Sequence, residues 1–500
     1  MKMGVRNLLR FSSLFLAILF ISGARRQSFE DNGNLSLSAF IEDVLFKKYA
    51  PEAQWGVYIE RLDNNQVIYE RNAHSLFQPA SNRKILSTSA ALAYLTPGFK
   101  YQTDIYLKGE VKPNGSFEGD LIIKASGDPS LHPFFDDRRS PVYPFNYWAK
   151  EISKKGINYI KGNIVIDESV FERYDFIPEG WSWEQLKDNY ASPTSAFALN
   201  ENCITVTISP DKTVGAPLIL SSLPDIPSQN ILNLAKTSSK PALSSINFVK
   251  NISDGKILLT GELGINLPPQ INRIPMTDPD HQVAEAFKII LEKEGVNHFG
   301  EIKIVSNEKE IDYKDANLIY SHISPPLEKL IRFTLLESNN FFAEQIFKTV
   351  SAKVWNRGSY ENSCKLEKQL WTKWGLDLRE NVPADGCGLS RANLVSPYFI
   401  TQVLKKMREK HPDWGFENLL PANGENGTLK GRISDPSYFG NVRAKTGSMN
   451  RISCLSGYLK TKSGIPLVFS IMINNSYFES VGRLMFIEDN ICERLIKERF

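Results

Sequence analysis

Hydrophobic and polar positions recur with two different periods along the chain. Two segments rich in β-favouring residues, Trp55–Leu62 and Gln66–Arg71, flank three turn-forming residues and predict a β-hairpin. After Ser81, apolar residues recur at helical spacing as far as Leu95, where a Pro-Gly pair follows. This pattern places Ser81 at the N-terminus of a predicted helix.

The middle of the chain changes to short alternating segments separated by turns, which predicts a mainly β region. The predicted strands are Asp104–Lys108, Leu121–Ala125, Ile164–Ile166, Ile204–Ser209 and Ile257–Glu262. A tract rich in Pro, Ser and Leu, Leu218–Ile246, has weak periodicity and predicts loops and edge strands. This region is therefore predicted to be a β-rich insertion.

Helical patterning returns in the last part of the chain. The predicted helices are Gln282–Glu294, Pro326–Leu336, Phe341–Val354, Leu366–Trp374, Pro397–Arg408 and Ser480–Arg499, with two apolar strands, Ile452–Leu459 and Ile465–Ile473, before the last. These patterns predict an α+β fold. Residues 36–96 and 275–500 are predicted to form one domain, interrupted at 97–274 by one or two β-rich subdomains.

The first 24 residues have the three-part pattern of a secretory signal peptide. Three basic residues precede the apolar run Phe11–Ile21, and small residues follow as far as Ala24. That run is shorter than the roughly 20 residues that span a bilayer. We therefore predict cleavage near Ala24 and a periplasmic protein without a stable membrane span.

Charge, cysteine and histidine contents narrow the classes of function. The formal charge of +3 is carried by the basic residues of the leader, so the remaining chain is close to neutral and nucleic acid is not an expected partner. Five scattered cysteines do not form a disulfide framework, and their odd number implies at least one free thiol. Six histidines show no H-E-x-x-H spacing, so we predict no metal and no cofactor.

Three short motifs carry the candidate chemistry. Ser81–Lys84, Ser338–Asn340 and Lys445–Gly447 read S-x-x-K, S-x-N and K-T-G in order, a set found in penicillin-binding proteins and class A β-lactamases. Similar triplets and quartets occur elsewhere, at Ser228–Asn230, Ser253–Lys256, Ser306–Lys309 and Lys462–Gly464. Only Ser81–Lys84 opens an apolar helix, where positions i and i+3 share a face.

The motifs suit nucleophilic catalysis by a serine. The Ser81 hydroxyl becomes a good nucleophile if Lys84 is neutral and takes its proton, and both burial and the nearby cation Lys445 favour the neutral amine. The backbone N–H groups of Ser81 and Ser448 are the predicted oxyanion hole. Ser338 is placed to protonate the leaving nitrogen.

The remaining motif residues suit substrate binding. Asn340 is predicted to hydrogen-bond the peptide amide, and Lys445, Thr446 and Gly447 to hold a free carboxylate. A structural alternative remains open, because Lys84 would also suit a surface position and Ser338–Asn340 would also cap a helix.

The motifs and four further segments resemble the D-Ala-D-Ala carboxypeptidase/endopeptidase family of class C low-molecular-mass penicillin-binding proteins. The long separation of Ser81 from Ser338 matches that family's large insertion. The further segments are Ser126–Leu131, Ile166–Phe171, Asp385–Arg391 and Leu420–Leu429. One departure is Cys387, where the family usually carries a small hydroxyl residue.

This resemblance implies a serine β-lactamase/DD-transpeptidase-like domain that cleaves peptidoglycan peptides through an acyl-serine and is acylated by β-lactams. It implies that Arg391 pairs with a substrate carboxylate and that Asn450 contacts the peptide. Asp167 and Phe171 are the contacts that it implies from the insertion.

Three other classes of function stay open at this point. A β-lactamase shares the serine and lysine chemistry, although the long insertion speaks against it. A penicillin-binding fold without turnover would serve as a wall-binding module, although the intact motifs speak against that. The third class is a metallopeptidase, which the spacing of the histidines does not support.

Overall fold

An antiparallel five-stranded sheet joins the two ends of the chain. The computed structural model describes residues 35–229, 231–251, 255–477 and 481–500, so the predicted signal peptide lies outside the described residues. The strands follow the order Val67–Arg71, Gln54–Arg61, Pro466–Asn474, Ile452–Lys460 and Val442–Met449. The predicted hairpin thus forms, and it pairs with the C-terminal strands.

Both faces of this sheet are buried. The central strand is mostly apolar, and its successive side chains point to opposite faces, so apolar side chains lie on both. Along Pro466–Asn474, Val468 and Met472 belong to the core under one helical layer, whereas Phe469 and Ile471 belong to the core on the opposite face. The first layer contains the helices Arg83–Leu95, Leu327–Leu336, Asn340–Trp355, Tyr360–Lys373 and Pro397–Lys410. The second contains the helix Gly482–Lys497 and the helical segments Leu37–Ala39, Phe40–Phe46 and Lys47–Tyr49.

The insertion contains an outer unit and an inner unit. The outer unit is a seven-stranded sheet with the helices Phe145–Ser153 and Pro279–Lys293. Its strands are Gln102–Val111, Ser116–Lys124, Tyr159–Ile160, Ile164–Asp167, Asn297–His298, Ile302–Val305 and Asn317–Ile323. The inner unit contains the strands Cys203–Ser209, Ile219–Leu223, Ile231–Asn233, Lys236–Ser238, Asn247–Lys250, Ile257–Thr260, Glu262–Gly264 and Gln270–Pro275.

The insertion ends later in the chain than the predicted boundary at residue 274. Asn317–Ile323 pairs with Gln102–Val111, and Ile302–Val305 pairs with Ile164–Asp167, so both late strands belong to the outer sheet. The helix Pro279–Lys293 packs in the same core. The helical pattern correctly predicted that this helix buries one face, but an amphipathic pattern does not specify which sheet covers that face.

The five cysteines are free thiols in this structure. Four of them are buried and Cys364 is partly buried. Among the helices of the described residues, none combines the length and the apolar character needed to cross a membrane.

Candidate active site

Ser81 and Lys84 lie one helical turn apart at the start of the helix Arg83–Leu95. Ser81 occupies the preceding 3-10 turn Ala80–Asn82, and Lys84 Nζ is 2.9 Å from Ser81 Oγ. Lys84 is completely buried. Burial lowers the pKa of Lys84, and the negative charges around it oppose that shift only in part.

The other two partners of Lys84 control the direction of its lone pair. Nζ is 2.7 Å from Asn340 Oδ1 and 2.9 Å from the carbonyl oxygen of Cys387. Asn340 Nδ2 donates to the carbonyl oxygen of Tyr190, which fixes Oδ1 toward Lys84. Both oxygens accept only, so they take the two N–H bonds of a neutral amine. The lone pair is then left for the hydroxyl proton of Ser81.

The third motif brings a second buried lysine to the same place. Lys445 Nζ donates to Ser338 Oγ and to the carbonyl oxygen of Thr446, at 2.8 Å in each case. Burial, followed by the charge of Lys84, lowers the pKa of Lys445 well below its usual range. The Thr446 hydroxyl donates to Thr428 Oγ1 at 2.8 Å. The sheet edge and the helical layer therefore meet at a cluster of hydroxyl and amine groups.

Gly447 allows the edge strand to approach the turn that carries Ser81. A Cβ atom at this position would lie 2.7 Å from the carbonyl oxygen of Pro79 and 3.1 Å from the backbone nitrogen of Ser81. Such a contact is closer than a side chain tolerates. Ser448 follows on the same strand and is exposed, so Gly447 brings the backbone segments that carry the two predicted oxyanion donors close together.

The loop 385–390 holds the carbonyl group of Cys387 against Lys84. Glu344 accepts the backbone N–H groups of Gly386 at 2.8 Å and of Cys387 at 2.7 Å. Asp385 accepts those of Gly388 and Ser390 at 2.7 and 2.6 Å. Burial, with the charge of Asp385, raises the pKa of Glu344 to about 8.

The role of Glu344 was missed in the sequence, although its position one helical turn after Asn340 was an available signal. Glu344, Asp385 and Cys387 also bring their polar atoms within 4.8 Å of one another, as metal ligands do. The carboxylate oxygens are already occupied by N–H donors, which an ion would have to displace.

Two residues that the family resemblance assigned to substrate binding lie in exposed positions. Arg391 follows the loop 385–390, and its Nη1 donates to Gln78 Oε1 at 3.3 Å, three residues before Ser81. Asn450 lies in the turn between the paired strands Val442–Met449 and Ile452–Lys460. Their contacts with substrate stay predictions.

The two residues expected to reach in from the insertion are buried within it. Asp167 is 1% exposed and accepts a hydrogen bond from the Tyr313 hydroxyl at 2.5 Å. Phe171 is 4% exposed, and Lys348 Nζ lies 4.8 Å from the centre of its ring. A contact of either side chain with substrate would require another conformation. The insertion instead contacts the second motif through Tyr190 and Glu201, which the sequence did not reveal.

Solved structures of penicillin-binding proteins have a similar overall fold. Penicillin binding protein 4 (dacB) from Haemophilus influenzae has a TM-score of 0.79 and 25% identity, covering 93% of this chain and 100% of that chain. The same protein complexed with a novel β-lactam has a TM-score of 0.74 and 23% identity, covering 92% and 100%. The predicted fold class, an α+β penicillin-binding-type domain with a large insertion, is confirmed.

Similar sequences extend over most of the chain. D-alanyl-D-alanine carboxypeptidase DacB of Haemophilus influenzae is 26% identical over 433 residues, which is 86% of this chain and 87% of the relative. Penicillin-sensitive carboxypeptidase A of Dictyostelium discoideum is 28% identical over 509 aligned positions, covering 93% of each. The D-Ala-D-Ala carboxypeptidase 3 (S13) family matches residues 37–486. This match includes all three motifs, and the chain belongs to that family.

Proposed function

We propose that the protein is a serine-type D-Ala-D-Ala carboxypeptidase that also cleaves D-Ala cross-links as an endopeptidase. Its substrates are the stem peptides of peptidoglycan. The observation that carries this proposal is the contact of 2.9 Å between Lys84 Nζ and Ser81 Oγ. Because Asn340 and Cys387 accept the two N–H bonds of the neutral amine, Lys84 is oriented to act as the general base.

Acylation begins when Ser81 Oγ attacks the carbonyl carbon of the penultimate D-Ala and its proton moves to Lys84. The oxyanion that forms accepts the N–H groups of Ser81 and Ser448. The C–N bond to the terminal D-Ala then breaks. Its nitrogen leaves with the proton that Lys84 took from Ser81, relayed through Ser338, whose hydroxyl is held by Lys445.

The substrate is held by groups that surround this reaction path. The terminal carboxylate pairs with Lys445, Thr446 and Arg391, while Asn450 contacts the peptide. In deacylation Lys84 takes a proton from water, and the hydroxide attacks the ester carbonyl. The bond to Ser81 Oγ breaks, and the serine recovers its proton.

β-Lactams react at the same serine in this proposal. One relative is named as penicillin-sensitive, and one structural neighbour was solved with a β-lactam. Opening of the strained lactam amide by Ser81 gives an ester in place of the peptide acyl group. A cell-wall substrate places the enzyme in the periplasm, in line with the predicted signal peptide, and gives it a role in wall maturation and remodelling.

The test is covalent labelling with a labelled penicillin, followed by digestion and mass spectrometry. We expect one labelled peptide containing Ser81 and no label in Ser81→Ala. Ser89→Ala is the matched control, because this buried hydroxyl lies on the same helix and should not affect labelling. Absence of label, or a label elsewhere, would reject Ser81 and favour a wall-binding module.

Product analysis separates the hydrolytic alternatives. A carboxypeptidase releases D-Ala from a wall pentapeptide, whereas an endopeptidase separates cross-linked dimers. A β-lactamase would instead clear the penicillin ester rapidly and leave both peptides intact.

A further inference from the structure

Asn339, the middle residue of the second motif, connects the active site to the insertion. Its Oδ1 accepts the backbone N–H of Phe342 at 2.9 Å and so caps the helix Asn340–Trp355. This contact fixes the orientation of the amide, and Nδ2 is left to donate to Glu201 Oε1 at 2.9 Å. The contact crosses from the catalytic domain to the insertion.

Glu201 is held by two further insertion residues. His132 Nε2 lies 2.8 Å from Glu201 Oε1, and Arg273 Nη2 lies 3.3 Å from Oε2. His132 Nδ1 accepts the backbone N–H of Phe134, so in the neutral ring Nε2 carries the proton and donates to Glu201. Burial alone would raise the pKa of Glu201, but Arg273 and His132 outweigh it and keep the group ionised.

The backbone around Glu201 adopts a conformation that L-residues rarely adopt. Asn200, Glu201 and Asn202 have φ angles of 50°, 57° and 50°. Three consecutive residues in the left-handed region are unfavourable and persist only where their surroundings determine them. Here Asn202 Nδ2 donates to Pro193 O and Ser195 Oγ, both at 2.9 Å, which fixes the turn.

The second motif has a similar requirement. Ser338 has a φ of 54°. Its hydroxyl accepts a hydrogen bond from Lys445, and the side chain of Asn340, two residues later, accepts one from Lys84. Asn339 lies between these two functional residues. An anchor on Asn339 therefore constrains Ser338 and Asn340 together.

We propose that Glu201 is a positioning residue for catalysis, which acts through Asn339 to hold Ser338 and Asn340 in register with Ser81. The inference rests on the proposed function, because it assigns to Ser338 and Asn340 the roles given above. Glu201 itself touches neither Ser81 nor the substrate. The insertion is in this way a part of the catalytic unit.

A double-mutant cycle tests the link. Glu201→Gln weakens the charged anchor, and Asn339→Ser keeps a capping hydroxyl but removes the Nδ2 donor. We expect each variant to acylate Ser81 with penicillin about tenfold more slowly, with the KM for a wall pentapeptide little changed. The double variant should be no slower than the slower single variant, because both changes act on the same contact.

The amount of label bound at saturating penicillin gives the number of folded active sites. Each acylation rate is therefore expressed per labelled Ser81. Glu60→Gln is the control, because this buried carboxylate pairs with Lys405 and lies on a strand that two other strands separate from the edge strand Val442–Met449. It should lower the melting temperature without slowing acylation per labelled site. Variants that acylate at the wild-type rate, or additive losses in the double variant, would overturn the role of Glu201. The same wild-type measurement checks the proposed function separately: a wild-type protein unlabelled at Ser81 would reject both.

Discussion

Replacement of Lys84 tests whether a neutral lysine is the general base. A lysine with its ordinary pKa of 10.5 is neutral in only about one molecule in 3,000 at pH 7. Each unit by which burial lowers the pKa of Lys84 raises that fraction about tenfold, which corresponds to about 1.4 kcal/mol. Complete burial of Lys84 thus supplies reactive amine that an exposed lysine would lack.

We expect Lys84→Met to slow acylation of Ser81 by about 10²- to 10⁴-fold, the usual contribution of a general base. Lys84→Arg should be similarly slow, because a guanidinium keeps its charge but does not release a proton. The assay is the rate of penicillin incorporation at Ser81 between about pH 6 and pH 9.5.

The wild-type rate should rise with pH as the Lys84 ammonium loses its proton, with a midpoint below 10.5. Both Lys84 variants should lose this rise. The reasoning is refuted if Lys84→Met acylates within about tenfold of wild type, or if both Lys84 variants keep the wild-type rise of the rate with pH.

Three further predictions concern packing and pH. Gly447→Ala should slow acylation about tenfold, because the new methyl group would push the edge strand away from Ser81, and a wild-type labelling rate would contradict this. The raised pKa of Glu344 means that the folded state binds more protons than the unfolded state between about pH 4.5 and 8, so this group makes the free energy of unfolding decrease as pH rises. Urea unfolding of Glu344→Gln should show a smaller decrease, and an unchanged slope would reject the assignment. Arg83→Met should lower the free energy of unfolding by about 3–5 kcal/mol, because it leaves Glu367 buried without its cation, which is 2.6 Å away. Arg83→Met combined with Glu367→Met should be less destabilising than the sum of the single changes, as measured in the same urea assay.

The periodic patterns predicted most of the helices and strands but not their partners. The hairpin Trp55–Leu62 and Gln66–Arg71 and the helix after Ser81 form close to their predicted bounds. Gln282–Glu294 is also helical, yet it packs in the insertion and not in the catalytic domain. A local period records that one face of an element is buried, and the residues that cover this face come from elsewhere in the chain.

The sequence by itself determined the pair Ser81 and Lys84, because a spacing of three residues at the start of a helix brings the hydroxyl and the amine together whatever the rest of the fold does. Only the tertiary structure decided what surrounds this pair. Asn340 reaches Lys84 from a distant helix, the insertion supplies Tyr190 and Glu201, and Glu344 holds the loop that faces the amine. These contacts join residues that are far apart in the chain, so they depend on how the sheet, the helices and the insertion pack, which no local spacing specifies.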